Sequence, residues 1–466
     1  MRWPDYDYRG YHPSDLFLAH VFSIVAGLGR IENTQCLIHN GLIPPLLGMN
    51  DFPHRDTLRT FLLRFGAKPL RSLQAAHDKL RGELFRRLGL LYSATVDADT
   101  TALMTYGSQE GAARGYIPRR RHMQSSYAPI LSSEGHSGLS LGAELRAGNV
   151  HPSVGAGEFV QHVLDKLPAS IAASRTRLRL DGAFYDRKII VPLEDQGFGY
   201  AVVARMYRPL KERMVSTRYH EFAQGWEAAE FNYTPWQWKR EHRFVAVRRP
   251  LSLEPQEIQL RLFTFKRYTY HRALATNLEL TPPAVWRFYC DRGFQELLIR
   301  EFKDSYAMSK IPNRGFWANA AYLEAILWAY DLVRAFQMLC LPAEVQHWNI
   351  STLRRELWWL PAEWVKRGNR NLLVLPAKYP RQDLFAEVQR AASHLRPLIR
   401  STLQKLRIPF CRKYGRFSHS QWKLAVFQEL PTSFSPLSTA FCFLKAADPG
   451  GPPFLSAGAW GFSSGF

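Results

Sequence analysis

Residues 288–304 read FYCDRGFQELLIREFKD, and their polar side chains recur at the spacing of one helix face. Because an α-helix turns by about 100° per residue, positions three, four and seven apart lie on the same side. The polar residues on this side are Tyr289, Arg292, Glu296, Arg300 and Lys303, and the apolar residues opposite them are Phe294, Leu298 and Phe302. The stretch predicts one amphipathic helix. Its polar face is either an ordinary solvated surface or a carboxylate held between cations to bind a ligand.

The composition of the whole chain indicates a large globular protein that binds a polyanion. The chain has 466 residues, is 46% hydrophobic and 13% aromatic, and carries a formal net charge of +21. This charge is spread along the chain and is not gathered in one amphipathic tail, which favours nucleic acid over a membrane surface. The cysteines lie far apart without a C-x-x-C motif, which favours a reducing cytosol over disulfides or zinc: Cys36, Cys290, Cys340, Cys411 and Cys442.

Changes in periodicity divide the chain into regions. Residues 14–88 show helical spacing, and Gly66 is predicted to end a short helix that starts near residue 54. Alternation predicts strands at 91–101, 139–146, 176–182 and 199–205 around a helix at 156–171, which makes an α/β core. Residues 207–280 hold short aromatic and basic strands and predict a β-rich insertion. The apolar stretch 316–341 contains charged residues at helical spacing and predicts a buried core helix, not a membrane span.

Acidic residues stand out at two predicted strands and on the helix described first. Asp97 and Asp99 lie on the same face of one strand, because side chains alternate, and Asp181 ends another strand. A strand-end Asp taken alone is more often a turn or cap residue. Two strand-end carboxylates facing a helix carboxylate, however, are what a two-metal phosphoryl-transfer site requires, since Mg²⁺ prefers hard oxygen ligands.

The spacing Tyr–two residues–Arg–three residues–Glu–six residues–Lys is met by Tyr289, Arg292, Glu296 and Lys303, and it resembles the signature of a large group of bacterial insertion-sequence transposases. Other stretches resemble one branch of that group: VDADTT at 96–101, YGSQEGAARGY at 106–116, AELRAGNVHPSVGAGEFV at 143–160, RLDGAFYD at 179–186 and LRRELWWLPAEWVKRGNRNLLVLP at 353–376. The resemblance spans residues 14–410. It implies a cut-and-paste DNA transposase of the DDE type with an RNase H-like core.

The resemblance implies roles residue by residue. Asp99, Asp181 and Glu296 match the catalytic, metal-binding acids, and Asp97 is the alternative first Asp. Tyr289 and Lys303 are expected to contact a DNA phosphate near the cut, Arg292 to hold a displaced nucleotide, and Arg300 to occupy a further basic position. An aromatic residue of the insertion is expected to stack on a flipped base, and the candidates, each of which is otherwise an ordinary sheet residue, are Trp226, Trp236 and Trp238.

The implied architecture has an RNase H-like catalytic core at 89–206 and 281–345, interrupted by the β-rich insertion at 207–280. A helical DNA-binding region at 1–88 precedes it, a basic region at 346–426 follows it, and the Gly/Pro/Ser-rich tail at 427–466 is expected to be disordered. The basic run at 114–126, with Arg119, Arg120 and Arg121, is either a solvated loop or a contact to the DNA backbone.

The same resemblance implies cofactors and partners. Two Mg²⁺ ions, for which Mn²⁺ can substitute, are expected in the site, and the DNA partners are terminal inverted repeats and target DNA. A homodimer is expected in the synaptic complex, in the cytoplasm of a bacterium and on the nucleoid when DNA is bound. The alternatives are a catalytically silent DNA-binding protein derived from a transposase and a stand-alone RNase H-like nuclease.

Overall fold

The computed structural model describes residues 10–115, 124–236, 238–250, 268–360, 362–367, 370–376 and 379–405. The predicted basic residues Arg119, Arg120 and Arg121 and the tail at 427–466 lie outside the described residues, as do parts of the predicted insertion and of the C-terminal region. Within the described segments helices pack on a large mixed sheet, which agrees with the predicted α/β class.

The first described region is helical, as its periodicity predicts. It contains α1 (Pro13–Val25), a 3₁₀ turn (Ile31–Leu37), α2 (Ile43–Leu46), α3 (Arg55–Leu63) and α4 (Ala67–Arg87). The prediction that Gly66 ends α3 is wrong, because Arg64 caps that helix and Gly66 precedes α4. The backbone of Gly66 is extended, with φ −132°, which suits a helix start and not the left-handed cap of a helix end.

A mixed sheet follows the helical region. Its strands and those of a small neighbouring sheet are β1 (Ala94–Thr100), β2 (Leu103–Met104), β3 (Ala113–Arg114), β4 (Ser125–Tyr127), β5 (Ile130–Glu134), β6 (Ser140–Glu144), β7 (Thr176–Leu180) and β8 (Gly199–Val203). β6, β5 and β1 pair antiparallel, whereas β1, β7 and β8 pair parallel. Helices α5 (Ala156–Leu164) and α6 (Arg187–Asp195) pack on one face, where Phe159 and Ile190 share one buried core with Val96 and Leu178.

The region predicted as an insertion extends this sheet. It contributes α7 (Arg208–Ser216), β9 (His220–Ala223), β10 (Trp226–Tyr233), β11 (His242–Pro250) and β12 (Tyr268–Thr276). β12 pairs antiparallel with β8, so nine described strands form one sheet of order β6-β5-β1-β7-β8-β12-β11-β10-β9. The assignment of residues 207–280 to a domain of their own stays a prediction.

The stretch 288–304 forms parts of two helices, so the prediction of a single helix is wrong. α8 (Pro282–Cys290) starts after Thr281, as predicted, and α9 (Gly293–Asp304) starts after a turn at Asp291 and Arg292. Glycine is a poor helix former, and the break at Asp291 and Arg292, just before Gly293, lets each helix bury its own side. The buried residues are Val285 and Tyr289 in α8 and Gln295, Leu298, Ile299 and Phe302 in α9, whereas Phe294 is exposed.

The apolar stretch 316–341 forms the long buried helix α10 (Phe316–Cys340), as predicted. Its acidic residues are paired in the core, where Glu324 lies 2.7 Å from Nδ1 of His77 and Asp331 lies 3.2 Å from Nε of Arg81, both on α4. No helix among the described residues is both long and apolar enough to cross a membrane.

The C-terminal part of the described chain docks against the first helix. It contains α11 (Ile350–Leu353), a π-helical turn (Arg354–Trp358), the hairpin of β13 (Glu363–Arg367) and β14 (Arg370–Val374), and α12 (Gln382–Lys405). The buried guanidinium of Arg354 donates to the backbone carbonyls of Ile24 at 2.7 Å and of Val25 at 2.8 Å. Because these carbonyls lie in the last turn of α1, Arg354 adds donors at that helix end and ties the two regions together.

Candidate active site

Two aspartates lie side by side where two parallel strands end. β1 and β7 pair with Ala98 opposite Leu180, so Asp99 and Asp181 follow as the next pair. Ala98 and Leu180 are fully buried in the core that α5 and α6 cover. Since successive side chains of a strand point to opposite faces, Asp99 and Asp181 point to the other face, over which α8 and α9 lie.

The third predicted acid joins them through one guanidinium. Nη2 of Arg292 lies 2.8 Å from Oδ2 of Asp99 and 4.0 Å from Oδ2 of Asp181, and Nη1 lies 3.5 Å from Oε1 of Glu296. Arg292 is 5% exposed, whereas the side chain of Glu296 is 65% exposed. The group is therefore buried at Arg292 and open to solvent at Glu296, which forms its rim. The structure thus brings the three predicted acids together, while their catalytic role stays a prediction.

The turn between α8 and α9 explains this arrangement. Arg292 is the residue immediately before α9, and it points inward instead of lying on a continuous polar face. Glu296 is one helical turn later and faces the same guanidinium from the rim. α9 is held in place by Leu298 and Phe302, and by Gln295, whose Oε1 accepts a hydrogen bond from the hydroxyl of Ser133 on β5.

Asp97, the alternative first acid, does not join the group. It is fully buried and pairs with Arg179 of β7, which donates from Nε to Oδ1 at 2.7 Å and from Nη2 to Oδ2 at 2.6 Å. Both carboxylate oxygens are therefore engaged, and the pair forms a floor beneath Asp99 and Asp181. This geometry favours Asp99, whose side chain is 13% exposed, over the fully buried Asp97 as the strand-end carboxylate that a ligand can reach.

The electrostatics of the acids reflect their burial and their number. Burial raises the pKa of Asp99 to about 6, the charge of Arg292 opposes that shift, and the charges of Asp181 and Glu296 add to it. Burial also raises the pKa of Asp181, against the charge of Arg292 and a hydrogen bond from the N–H of Ala183. A site that holds several carboxylates at low exposure favours the binding of a cation.

The donor set fits a divalent metal, although its present spacing does not form one metal site. Carboxylate oxygens on two strand ends and a helix are the ligands that Mg²⁺ prefers. As the side chains stand, no three acidic, imidazole or thiol groups of the described residues lie close enough to hold an ion. The guanidinium of Arg292 lies between the three acids and keeps them apart.

The sequence from residue 2 to residue 397 matches a family model described as transposase DDE domain group 1. The chain belongs to this transposase family. The predicted membership of the DDE transposases is thereby confirmed, whereas a bacterial origin and the insertion-sequence signature stay predictions. Comparison with curated proteins returned no match.

Among solved structures, this transposase-family chain is similar to piggyBac transposase, in a cryo-electron microscopy structure of its synaptic complex with hairpin DNA. The two share 10% sequence identity, and the match covers 87% of this chain and 79% of the other, with a TM-score of 0.36. A likeness this distant transfers neither a fold nor a partner to the transposase-family chain.

Tyr289 is placed differently from its prediction. It is 4% exposed, and its hydroxyl receives a hydrogen bond of 3.3 Å from Nη1 of Arg272, a residue of β12. Burial raises the pKa of Tyr289, and the charges of Arg292 and Arg272 oppose the shift. Tyr289 is therefore buried and hydrogen-bonded to Arg272, and Arg272 is the exposed residue of the two.

The sheet order separates the three tryptophans of the insertion. β12 runs opposite to β8, so its beginning lies at the edge where β1, β7 and β8 end. β10 also begins at that edge, because Glu227 pairs with Arg248 and Arg248 with Tyr270. Trp226, the first residue of β10, is thus on the site's side of the sheet. Its ring lies 4.6 Å from that of His271 and 6.1 Å from that of Trp286 on α8.

The other two tryptophans lie at the opposite edge, in the turn after β10. Trp238 is 8% exposed and stacks on Tyr185 with ring centroids 4.8 Å apart, as an ordinary core residue does. Trp236 is 84% exposed but is far along the strands from Asp99 and Asp181. Of the three predicted candidates, the structure therefore places Trp226 at the edge of the sheet where the acids lie, in contact with Trp286 of α8.

Cations surround the acids, and sequence reasoning missed two of them. Lys303 is half-buried, and burial lowers its pKa against the charges of Asp304 and Asp99. Arg300, also predicted, is exposed on the same helix. Arg272 and Arg205 were not predicted; Arg205 follows β8 and donates to the carbonyl of Gly182 at 3.4 Å. For Arg205 the available signal was its position two residues beyond β8, which neighbours the Asp strand β7; Arg272 lies inside β12, where the sequence offered no comparable signal.

Proposed function

We propose that this transposase-family chain cuts the ends of an insertion sequence and joins the freed 3′-hydroxyls to target DNA. The observation that carries the proposal is the meeting of Asp99, Asp181 and Glu296 around one cation, from two strand ends and one helix. The mixed arrangement of β6, β5, β1, β7 and β8 supports an RNase H-like core, with the acids at the ends of its central strands.

Asp99, Asp181 and Glu296 would hold two Mg²⁺ ions, for which Mn²⁺ can substitute. When bound, such ions stabilise charge on the phosphoryl oxygens and lower the pKa of an attacking water. The chain presents the ligands from fixed positions. Oδ1 of Asp181 accepts the N–H of Ala183 at 2.9 Å, which leaves Oδ2 facing the other acids.

The reaction begins with hydrolysis of one strand at the end of the element. An oxygen of water bonds to phosphorus, the bond from phosphorus to the 3′ oxygen breaks, and that oxygen leaves as a 3′-hydroxyl. The hydroxyl then attacks a phosphorus of the opposite strand, which closes a hairpin and releases the flanking DNA as a 3′-hydroxyl. A second water opens the hairpin and restores the 3′-hydroxyl of the element, which attacks a phosphorus of target DNA and releases a 3′-hydroxyl of the target. Lys303 and Arg272, which flank the acids, would bind the phosphates that enter the site.

Trp226 would stack on a base displaced near the cut. Its neighbours His271 and Trp286 form a short row of rings, and Trp286 lies 6.4 Å from Tyr289, behind the acids. A base turned out of the duplex could extend this row, and stacking of that kind contributes about 1–3 kcal/mol per base.

The proposed partners are the terminal inverted repeats of the element and duplex target DNA. The net charge of +21 and the cations around the acids support a DNA partner. Two ends must be held together before they are joined, which supports a homodimer in the DNA complex. The proposed setting is the cytoplasm of a bacterium, on the nucleoid.

The test is an assay of labelled element ends with target DNA in Mg²⁺. Nicked, hairpin and joined products are all expected, and none of them should form with Asp181→Asn. A DNA-binding protein derived from a transposase would give no cuts, and a stand-alone nuclease would give cuts without joined molecules. The DNA that flanks the gene supplies the ends, since terminal inverted repeats should bracket it.

A further inference from the structure

Two buried arginines pair with the aspartates of β1, and the two ion pairs differ in geometry. Arg179 faces one carboxylate, that of Asp97, with two aligned hydrogen bonds of 2.7 and 2.6 Å. Arg292 faces three carboxylates, and among the described residues neither its Nε nor its Nη2 is aligned with a hydrogen-bond acceptor. Arg292 is therefore held mainly by charge, whereas Arg179 is held by directed bonds.

The charges around Arg292 are not balanced by it. Three carboxylates, when ionised, carry three negative charges, whereas the guanidinium that faces all three carries one positive charge. Arg272 and Lys303 add their charges beside single acids, Asp181 and Asp99. Taking several like charges out of water is unfavourable unless cations accompany them. The three carboxylates are therefore neutralised better by a divalent cation, with its two positive charges, than by a single guanidinium.

The side chain of Arg292 is also placed so that it can move out from between the three acids. Its backbone lies in the turn between α8 and α9, immediately before Gly293, and not inside a helix. The rim of the group is open, since the side chain of Glu296 on the next helical turn is 65% exposed. The long side chain of an arginine in that turn can reach solvent past Glu296, where the phosphates of a bound duplex would lie.

We propose that Arg292 is a placeholder cation, which occupies the three acids until a divalent metal displaces it and then binds a DNA phosphate. This proposal rests on the proposed function, which makes the three acids the metal ligands. Metal must displace the guanidinium, so metal binding without DNA is weakened. DNA offers the guanidinium another partner, so DNA strengthens metal binding, and by thermodynamic linkage metal strengthens DNA binding equally.

The test measures the affinity for Mn²⁺ from the electron paramagnetic resonance of the free ion, with and without a DNA end. The variant is Arg292→Gln, which removes the charge but keeps polar atoms. Arg287→Gln is the matched control, since Arg287 is an exposed arginine of α8 outside the group. In the unaltered protein DNA should raise the affinity for Mn²⁺ by about tenfold, within the usual range of coupling between sites.

Arg292→Gln should bind Mn²⁺ about tenfold more tightly than the unaltered protein without DNA, and DNA should then raise its affinity by less than it does in the unaltered protein. Its melting temperature should fall in EDTA and recover with Mn²⁺, because the acids lose their counter-charge only when metal is absent. Arg287→Gln should behave as the unaltered protein does in both measurements. If Arg292→Gln does not fold in EDTA, refolding it with Mn²⁺ tests the same prediction.

Two failures of this test can be told apart. If Asp181→Asn leaves Mn²⁺ binding unchanged, the acids are not the metal site and the proposed function loses its support. If Asp181→Asn weakens Mn²⁺ binding but Arg292→Gln does not strengthen it, the placeholder role is wrong and the proposed function stands. Failure of Mn²⁺ to restore the fold or the melting temperature of Arg292→Gln would also overturn the placeholder role.

Discussion

Asp97 and Arg179 form a fully buried, two-bond ion pair directly beneath the candidate acids, with distances of 2.7 and 2.6 Å. The pair lies across the parallel strands β1 and β7, two residues before Asp99 and Asp181 on each strand. Arg179 also donates to the backbone carbonyl of Phe288 on α8 at 3.3 Å. The pair thus ties the two Asp strands to the helix that leads into Arg292, and its role is to position the acids.

Replacing Asp97 by Asn should therefore affect folding more than replacing Asp99 by Asn. The first change leaves the guanidinium of Arg179 buried without its counter-charge, which should lower the free energy of unfolding by about 3–5 kcal/mol. The second removes a charge that burial already disfavours, so the loss should be much smaller. Chemical denaturation in EDTA measures both. Equal losses would contradict a structural role confined to Asp97.

Residue patterns predicted β1, β6, β7 and β8 because polar and apolar residues alternate along each of these strands. They did not predict β5 (Ile130–Glu134), where every residue is buried and polar side chains occur on both faces. Ser132 donates to the backbone carbonyl of Asp97 and Ser133 donates to Gln295, partners from distant parts of the chain. Burial of polar residues through long-range hydrogen bonds leaves no local periodic signal.

The sequence predicted which acidic residues form the candidate site, but it did not predict how the residues around them are arranged. Asp99, Asp181 and Glu296 could be selected from strand ends and a spaced motif, and the structure brings them together. The break before Gly293, which points Arg292 toward the acids, depends on how α8 and α9 each bury a face. The choice among Trp226, Trp236 and Trp238 depends on the sheet order, which long-range pairing alone decides.

Asp181→Asn should abolish DNA cleavage without weakening DNA binding. The change removes a proposed metal ligand and one negative charge while it keeps the shape of the side chain. Binding is measured by fluorescence anisotropy over a series of salt concentrations, where affinity should fall steeply as counterions compete for the phosphates. The control is Asp186→Asn at the start of α6, where Asn can cap the helix as Asp does, so cutting should persist. Cutting by Asp181→Asn would remove this residue from the proposed chemistry.

Trp226→Ala should weaken the step that needs a displaced base, and Trp236→Ala should not. Loss of one stacking contact of about 1–3 kcal/mol predicts roughly a tenfold to hundredfold reduction in hairpin formation. Trp226→Phe should recover part of the rate, because it keeps an aromatic face. The fluorescence of 2-aminopurine near the cut reports the displaced base directly. Equal effects of Trp226→Ala and Trp236→Ala would contradict the assignment from sheet order.

His20 makes the folded chain sensitive to mild acid. Burial lowers the pKa of His20 from 6.5 to about 4, and the hydrogen bond to the carbonyl of Leu58 opposes the shift. The unfolded chain therefore binds the proton more readily, so the stability from this residue is present above pH 6.5 and is lost as the pH falls toward 4. At pH 5 it should reduce the free energy of unfolding by about 2 kcal/mol relative to pH 7.

The control for this pH dependence is His20→Gln, whose amide can still donate to the carbonyl of Leu58 but cannot gain a charge. Denaturation curves at pH 5 and pH 7 give the difference for each protein. The unaltered chain should lose more stability between these two values than His20→Gln does. Parallel losses in the two proteins would show that other groups cause the acid sensitivity.

Glu296→Gln and Arg292→Gln should fail at different steps of DNA cutting. Glu296 is a proposed metal ligand at the open rim, so its loss should remove the first nick and every later product. Arg292 is proposed to bind DNA only after it leaves the acids, so its loss should spare much of the first nick and impair the hairpin. α9 should stay folded in both variants, because Leu298 and Phe302 anchor its buried side.

The measurement counts nicked and hairpin products from a labelled end in saturating Mg²⁺, which removes any difference in metal affinity between the two variants. Circular dichroism of each variant checks that the helices remain. Arg292→Gln should show a lower ratio of hairpin to nicked product, and Glu296→Gln should show neither product. These two results together would separate the two roles. If both variants lose both products equally while folded, Arg292 contributes to the first cut as Glu296 does, and the division of roles between the two residues is wrong.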